Sequence, residues 1–452
     1  MTRTRAATLP PAVPAGPSPT RIGLLLGYVA GTSGLGLAAA PIVSREVAAE
    51  LGIATAQTAW VVALFSLAIG VSTPVWGRLA DLHGGRRVVV LASLASVAGT
   101  MVVLLAPTLP TLLVGRFLQG AAGAGLSIVA FSVPAQRLDP AGRARALGVL
   151  TALAALTLGA GPVLGAAAES IAGWRAALAL SVLMLIAAPA LARMAAPPMA
   201  GAGRHLDMAG ASLVLATGVA AFVLLQARAT GIAPVIVALV AVAGIGSAVT
   251  LARHVRRVPA GFLPLAVVRN RVFVWLSLSA AALMAGFLGL GFVAPLLLTE
   301  NVERSSLEVG MLLLPAAVCA AATAQLVGMV RGSVSAEAIM IALGAVSAAG
   351  VCAAGFAGDT PAVVIAGLAA ATSGFAGAQV AILDRIAELV PVADRGVAMG
   401  VFNLIFITGG ATGAAVAGAV VDVSSLGAAA IACGVLTAMA MPAAWAAARS
   451  GT

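Results

Sequence analysis

The chain contains no lysine. All 25 of its basic residues are arginine, and charged residues of both signs make up only 9% of its 452 residues. Hydrophobic residues reach 61% and the mean hydropathy is +1.11. Soluble domains sit nearer half apolar and a quarter charged, so this scarcity of charge excludes a soluble globular domain. Cysteine is almost absent: Cys319, Cys352 and Cys433 each fall inside an apolar run, without metal-ligand spacing. The three histidines, His83, His205 and His254, lie in loops beside arginine. No metal cluster, nucleotide-binding loop or Ser/His/Asp set is visible, which leaves no enzyme chemistry to assign. The net charge of +10 does not indicate nucleic acid, because the arginines sit in short segments between apolar runs. That placement fits the positive-inside bias of membrane proteins. Arginine without lysine, with abundant alanine and glycine, is also the codon usage of a GC-rich bacterium.

What is present is a series of fourteen charge-poor runs, from Ile22–Ser44 to the run that ends before Arg449. A run of about 20 residues crosses roughly 30 Å of hydrocarbon at 1.5 Å per residue. The expected class is an all-α polytopic membrane protein. With the N-terminus placed inside and the runs alternating, 20 arginines fall on the inner side and four (Arg45, Arg175, Arg228 and Arg304) outside. Arg116 lies within a span. This asymmetry predicts a multi-pass protein of the bacterial inner membrane with both termini cytoplasmic. Dropping Met208–Ala227 and Ala229–Ala252 together would keep the parity, but both are long enough to span, so both count. Residues 1–20 are Pro-rich and read as a disordered cytoplasmic tail rather than a signal peptide.

Three local patterns carry more than topology. Gly77-Arg78-Leu79-Ala80-Asp81-Leu82-His83-Gly84-Gly85-Arg86-Arg87 is a short charged turn between two apolar runs. Asp81 there can cap the positive N-terminus of a neighbouring helix, with helix 13 the expected partner, or pair with Arg143 or Arg145. In helix 4, Arg116, Gln119, Gly123 and Ser127 repeat at spacings of 3, 4 and 4, a polar stripe expected to face a cavity. A snorkelled structural arginine is the plainer alternative. Gly161/Gly165 and Gly409/Gly413 are small-residue pairs that let helices approach closely, and Pro162 predicts a bend in helix 5.

These residues resemble the major facilitator superfamily, in particular its fourteen-helix drug:proton antiporter branch. Gly77…Asp81…Gly84…Arg86-Arg87 is similar to its loop 2–3 motif, and Gly115-Arg116-Phe117-Leu118-Gln119-Gly120 to its helix 4 motif. Gly161-Pro162-Val163-Leu164-Gly165 looks like the helix 5 antiporter motif. Asp207-Met208-Ala209-Gly210 and Arg395-Gly396…Gly400…Asn403 resemble the openings of helices 7 and 13. The resemblance implies two six-helix bundles (residues 21–196 and 256–452) with two inserted helices in a linker (197–255). It also implies a midplane cavity lined mainly by helices 1, 4, 9 and 12 and opened alternately to each side. Two departures stand out. Thr32 occupies the place of an acid usual in the family's first helix, and the second-half counterpart of the charged turn is reduced to Gly328…Arg331-Gly332.

From residues and resemblance together, the candidate substrate and proton pathway is Arg116, Gln119, Thr32, Tyr28, Gln379, Asn403 and Glu169. Glu46 and Asp384 are further carboxylates near helix ends, where an ordinary interfacial charge is the plainer reading. The candidate cytoplasmic gate is Gly77, Asp81, Gly84, Arg86 and Arg87, and the antiporter motif Gly161, Pro162 and Gly165. Trp275, Phe287, Phe292, Phe375, Phe402 and Phe406 supply aromatic surface. Thr372, Ser373 and Ser277 add hydrogen-bonding groups. The expected activity is export of hydrophobic small molecules (a drug, an antibiotic or a self-made metabolite) by proton antiport. A nutrient importer of the same fold and a non-transport membrane scaffold are the alternatives. The expected partners are the substrate, protons and the lipid bilayer, with no nucleic acid and no cofactor beyond the proton gradient. A monomer is expected.

Overall fold

The computed structural model describes residues 18–53, 55–195, 207–227, 232–259, 261–299, 306–391, 394–421 and 423–450. The expected disordered tail, up to residue 17, and most of the linker before helix 7 lie outside these. Among the described residues every regular element is helical. Thirteen segments are long and apolar enough to cross a membrane, and the fourteenth expected run forms a helix whose Leu314–Val330 part is a shorter apolar stretch.

In chain order the spans are α1 (Pro19–Ala39), α2 (Ala59–His83), α3 (Gly85–Leu104), α4 (Leu109–Arg137) and α5, which starts as Pro140–Gly159. The next helical stretch, Gly161–Met194, is broken at Ala172 and Gly173, where Gly173 takes φ +76°. Residues 161–171 therefore finish α5 after a bend at Ala160, beside Pro162, and residues 174–194 are α6. The rest are α7 (Met208–Gln226), α8 (Pro234–Arg257), α9 (Arg271–Thr299), α10 (Ser306–Val330), α11 (Ala336–Phe356), α12 (Pro361–Leu389), α13 (Arg395–Val421) and α14 (Leu426–Ser450).

Local chemistry sets these boundaries. Pro140, Pro234 and Pro361 begin α5, α8 and α12, where a missing N–H costs nothing and φ is already helical. Asp207, Ser335 and Ser425 cap α7, α11 and α14 through their side chains. Gly84, at φ +84°, ends α2 and starts α3 in one residue, a conformation that a Cβ would oppose. α1 is interrupted at Gly34. Beyond the break the Ala40 N–H turns to the Leu37 carbonyl, which leaves the Gly36 carbonyl without its helical donor.

Small residues bring the helices together. A Cβ on Gly161 or Gly165 would strike Ala38 or Ala39 of α1, and one on Gly409 or Gly413 would strike Ala281 or Ala285 of α9. In lipid such close packing replaces the hydrophobic drive that water supplies. The two halves meet along α2–α13 and α5–α10, where Gly148 faces Gly328. The inserted pair stands outside this body. α7 packs Phe222 with Leu67, Val71 and Ala411, and α8 touches α7 through Ser247 and Thr217, 3.0 Å apart. The other face of α8 is open, with Leu239, Val242 and Ile245 66–72% exposed, a lipid-facing surface. The molecule has the major facilitator fold anticipated from the motifs: two six-helix bundles plus two inserted helices.

Candidate transport cavity and gate

A cavity of about 200 Å³ lies between the two halves. α1 contributes Ser33 and Leu37, α2 Ile69 and Thr73, α4 Ser127 and Phe131, α5 Thr151 and Leu158, α12 Phe375, Gln379 and Leu383, and α13 Met399, Phe402 and Asn403. No ionisable side chain is among the described residues that line it. Helices 1, 4 and 12 stand in the wall as expected. Helix 9 does not: its Phe287 lies one layer behind, stacked on Phe375 at 4.8 Å between ring centroids. Phe375 also stacks on Phe406 at 5.7 Å, and Phe406 on Phe402 at 5.2 Å. Trp275 and Phe292 face outward, 39% and 47% exposed.

The end of the molecule at which α1 starts and α2 turns into α3 is rich in arginine, and there the cavity is shut. Asp81 accepts hydrogen bonds from the backbone N–H groups of Gly396 and Val397, both at 3.1 Å. Its carboxylate thus caps the N-terminus of α13, where unpaired N–H groups and the helix dipole favour negative charge. Arg143 and Arg145, the alternative partners, are not used; Arg143 goes elsewhere. The approach depends on absent side chains, because a Cβ on Gly77 would strike the Gly396 carbonyl. About two turns deeper, Asn403 donates its amide to Thr73 at 2.9 Å, again from one half to the other.

A second closure joins α5 and α10 to α12. Asp384, 3% exposed, lies 2.6 Å from Arg143 and 2.8 Å from Arg331. Glu388 lies 3.3 Å from Arg143, and Arg78, also buried, lies 3.7 Å from Asp394. Arg331 received no role from sequence, although it is the one charge kept in the reduced second-half turn, and that retention was the available signal. Arg86 and Arg87, expected in the gate, are exposed at the start of α3 and take no part in these contacts.

The other pathway candidates separate. Gln379 and Asn403 line the cavity. Arg116 and Gln119 do not; they are fully buried inside the first half. Arg116 donates to the carbonyls of Gly36 (3.1 Å) and Val61 (3.1 Å) and to Gln119 Oε1 (3.0 Å), and its guanidinium covers the Phe65 ring at 4.3 Å. The Gly36 carbonyl, free because α1 ends at Ala39, takes one of these bonds. Only the far end of the expected stripe, Ser127, reaches the cavity, paired with Ser33 Oγ at 3.1 Å. Thr32 is buried and turns back to the Tyr28 carbonyl at 2.6 Å. Tyr28 donates to the Leu183 carbonyl of α6 at 3.0 Å. Neither lines the cavity. Glu169 is half-buried near the opposite end of α5 and outside the cavity wall. Gly161 and Gly165 serve packing against α1.

Outside the spans, Glu50 accepts from Arg175 at 2.5 Å and from the Trp174 indole at 2.6 Å. The Arg175 hydrogen bond, then that of Trp174, holds its carboxyl below the usual range.

Two helix bundles around a cavity closed at one end, with ion pairs and not covalent links as the closure, form a membrane carrier. Residues 24–378 match the family model described as Major Facilitator Superfamily, and the chain belongs to that superfamily of transporters. It is 25% identical over 280 residues to a multidrug resistance protein B homolog of Mycobacterium tuberculosis, covering 61% of this chain and 52% of that one. It is 33% identical over 121 residues to the efflux pump dotC of Dothistroma septosporum, covering 27% and 21%. An uncharacterized transporter, YebQ, of Escherichia coli is 27% identical, with 69% of each chain covered. The match thus spans about a fifth of the efflux pump and half of the multidrug resistance homolog. Among solved structures, the human organic anion transporter MFSD10 (TETRAN) superposes with a TM-score of 0.69 at 16% identity, covering 94% of this chain and 98% of that one, a likeness of fold.

Proposed function

We propose that this transporter exports hydrophobic small molecules across a bacterial inner membrane in exchange for protons. The observation that carries the reading is the uncharged cavity between the halves, shut at the arginine-rich end by Asp81 of α2 capping α13 and by Asp384 between Arg143 and Arg331. On the positive-inside bias that end is cytoplasmic, and the conformer is the one closed to the cytoplasm. The names of two relatives, an efflux pump and a multidrug resistance homolog, support export.

Coupling requires a titratable group whose protonation differs between the two states. The cavity wall offers none, so the role falls to the gate. Protonating Asp384 removes the buried charge between Arg143 and Arg331 and leaves only Glu388, 3.3 Å from Arg143 and 3.9 Å from Arg331, to face the two cations, which favours opening. A proton arriving from outside would then open the carrier to the cytoplasm, and its loss there, with substrate bound, would close it again.

Everted membrane vesicles carrying the protein test this directly. With a proton gradient imposed, adding an exported hydrophobic compound releases protons from the vesicle interior, and Asp384→Asn abolishes the signal. Substrate uptake into vesicles without any proton movement would reject antiport.

A further inference from the structure

The cavity wall sorts into groups that already have partners and groups that do not. Ser33 donates to the Ala30 carbonyl at 2.7 Å and meets Ser127. Thr73 donates to the Ile69 carbonyl at 2.6 Å and accepts from Asn403. Thr151 of α5 is different. It is 1% exposed, lies in the wall, and its hydroxyl is buried with no hydrogen-bond partner. Elsewhere in these helices threonine solves that problem locally: Thr32, Thr73, Thr157, Thr408 and Thr437 all donate to the carbonyl four residues back. A buried hydroxyl left unpaired costs about 1–3 kcal/mol, which a ligand with a hydrogen-bonding group removes.

Across the cavity, on the other half, the wall is aromatic. Phe375 and Phe402 line it, and both rest on Phe406. Phe287 backs Phe375, so four rings form one stacked array with little freedom to yield. Beside Phe375 on the same helix face, four residues on, Gln379 presents a half-buried amide to the cavity. A flat ring system laid on Phe375 gains stacking, with Gln379 at its edge and Thr151 facing it from the other half. A cation would gain about 0.5–2 kcal/mol from the ring faces, but the described lining holds no countercharge, and an unpaired ion in such a site costs more than that.

We propose that the cavity selects an uncharged, planar aromatic compound. Its rings lie against Phe375 and Phe402, and its hydrogen-bonding groups are taken by Thr151 on one half and Gln379 on the other. The proposal rests on the export reading and narrows it from hydrophobic compounds in general to neutral ring compounds carrying a carbonyl, hydroxyl or N–H. Because its two recognition groups belong to different halves, such a molecule bridges them when bound.

The test is direct binding to the purified full-length protein in lipid nanodiscs, read by probe fluorescence. Three tricyclic probes of one shape are compared near neutral pH: acridone (neutral), N-methylacridinium (cationic) and acridine-9-carboxylate (anionic). Acridone is expected to bind at least tenfold more tightly than either ion. Thr151→Val, which keeps the shape, weakens acridone about three- to tenfold, and Thr151→Ser restores it. Gln379→Leu weakens it similarly, and Phe375→Ala weakens all ring binding. Anthracene, which has neither carbonyl nor N–H, binds wild type and Thr151→Val alike, which verifies that the variant's cavity is intact. Binding of either ion as tight as acridone, no binding of acridone, or unchanged acridone binding in both Thr151→Val and Gln379→Leu overturns the proposal. Acridone binding without any proton exchange in vesicles would instead reject antiport and leave the site standing. Proton exchange evoked by N-methylacridinium and not by acridone would do the reverse.

Discussion

Arg143 Nε and Asp384 Oδ1 lie 2.6 Å apart, although 241 residues separate them in the chain. The pair joins α5 of the first half to α12 of the second. Arg331, just after α10, approaches the other carboxylate oxygen at 2.8 Å, so one buried acid ties together the ends of two helices of opposite halves. Asp384 directly follows Leu383, which lines the cavity. The floor of the binding space and the lock beneath it are therefore consecutive residues of one helix.

Replacing Asp384 with asparagine should open the arginine-rich end. Removing one partner of a buried ion pair costs up to about 3–5 kcal/mol, a figure lowered here because Glu388 still faces Arg143 at 3.3 Å and Arg331 at 3.9 Å. Spin labels on Arg145 and Ser333, both exposed at that end of opposite halves, report the separation in a background with the three cysteines replaced. The expected result is a shift of the distance distribution to longer values. An unchanged distribution would show that the pair does not hold the halves together.

The contact between α2 and α13 predicts a different pair of effects. Asp81→Asn keeps oxygen in place to accept from Gly396 but loses the charge at the helix N-terminus, worth about 0.3–2 kcal/mol depending on burial. Transport should slow severalfold while the protein still inserts. Gly396→Ala is harsher. Its Cβ would stand 2.5 Å from the Gly77 carbonyl and from Asp81 Oδ1, so the ends cannot meet and transport should fall below a tenth of wild type. Membrane yield on blots and initial transport rates decide the matter; equal rates for Gly396→Ala and wild type would remove the contact from the cycle.

Much of the fold was legible because arginine punctuates an otherwise apolar chain. Each run cut out by charges and Pro/Gly clusters became a helix, and the glycine pairs marked where helices touch. The Asp81 cap was legible only as one of two options, since a capping carboxylate and an arginine pair look alike in sequence. The close approach permitted by Gly77 and Gly396 is what selects the cap. Arg143, Asp384 and Arg331 read individually as interfacial charges, because nothing in a linear pattern joins residues so far apart. Arg116 was drawn toward the cavity by its helical spacing with Ser127. The end of α1 at Ala39, invisible as a loss of hydrogen bonds until the backbone is seen, frees the Gly36 carbonyl that helps hold it inside the first half.

That placement makes Arg116 a test of role. Arg116→Ala leaves the Gly36 carbonyl without its donor and a void against Phe65, and Arg116→Lys cannot span three acceptors with one ammonium. Both should lower the melting temperature of the purified protein, by several degrees for alanine, with probe affinity unchanged in the folded fraction. Gln379→Ala should do the opposite, weakening binding without loss of stability. A weaker-binding but fully stable Arg116→Ala protein would return Arg116 to the substrate path.

The inserted pair carries its own pH dependence. Asp207 caps α7 through Gly210 N–H (2.9 Å), meets His254 Nε2 of α8 (2.8 Å) and accepts from Phe262 N–H beyond it (3.0 Å). Burial alone would raise this carboxyl, but the two N–H groups and the His254 ring outweigh it and hold it below the ordinary value. A depressed acid contributes stability that is full above its unfolded value of about 3.9 and is lost as the pH falls through the lower folded value. The clasp should therefore be intact at neutral pH and release only under strong acid. Asp207→Ala should release it at every pH, at a cost of about 1 kcal/mol for the lost cap. Hydrogen exchange of the Phe262 amide reads this out: about fivefold faster in Asp207→Ala than in wild type near neutral pH, with the two converging at low pH. Equal exchange at neutral pH would mean that the segment after α8 is held by something other than Asp207.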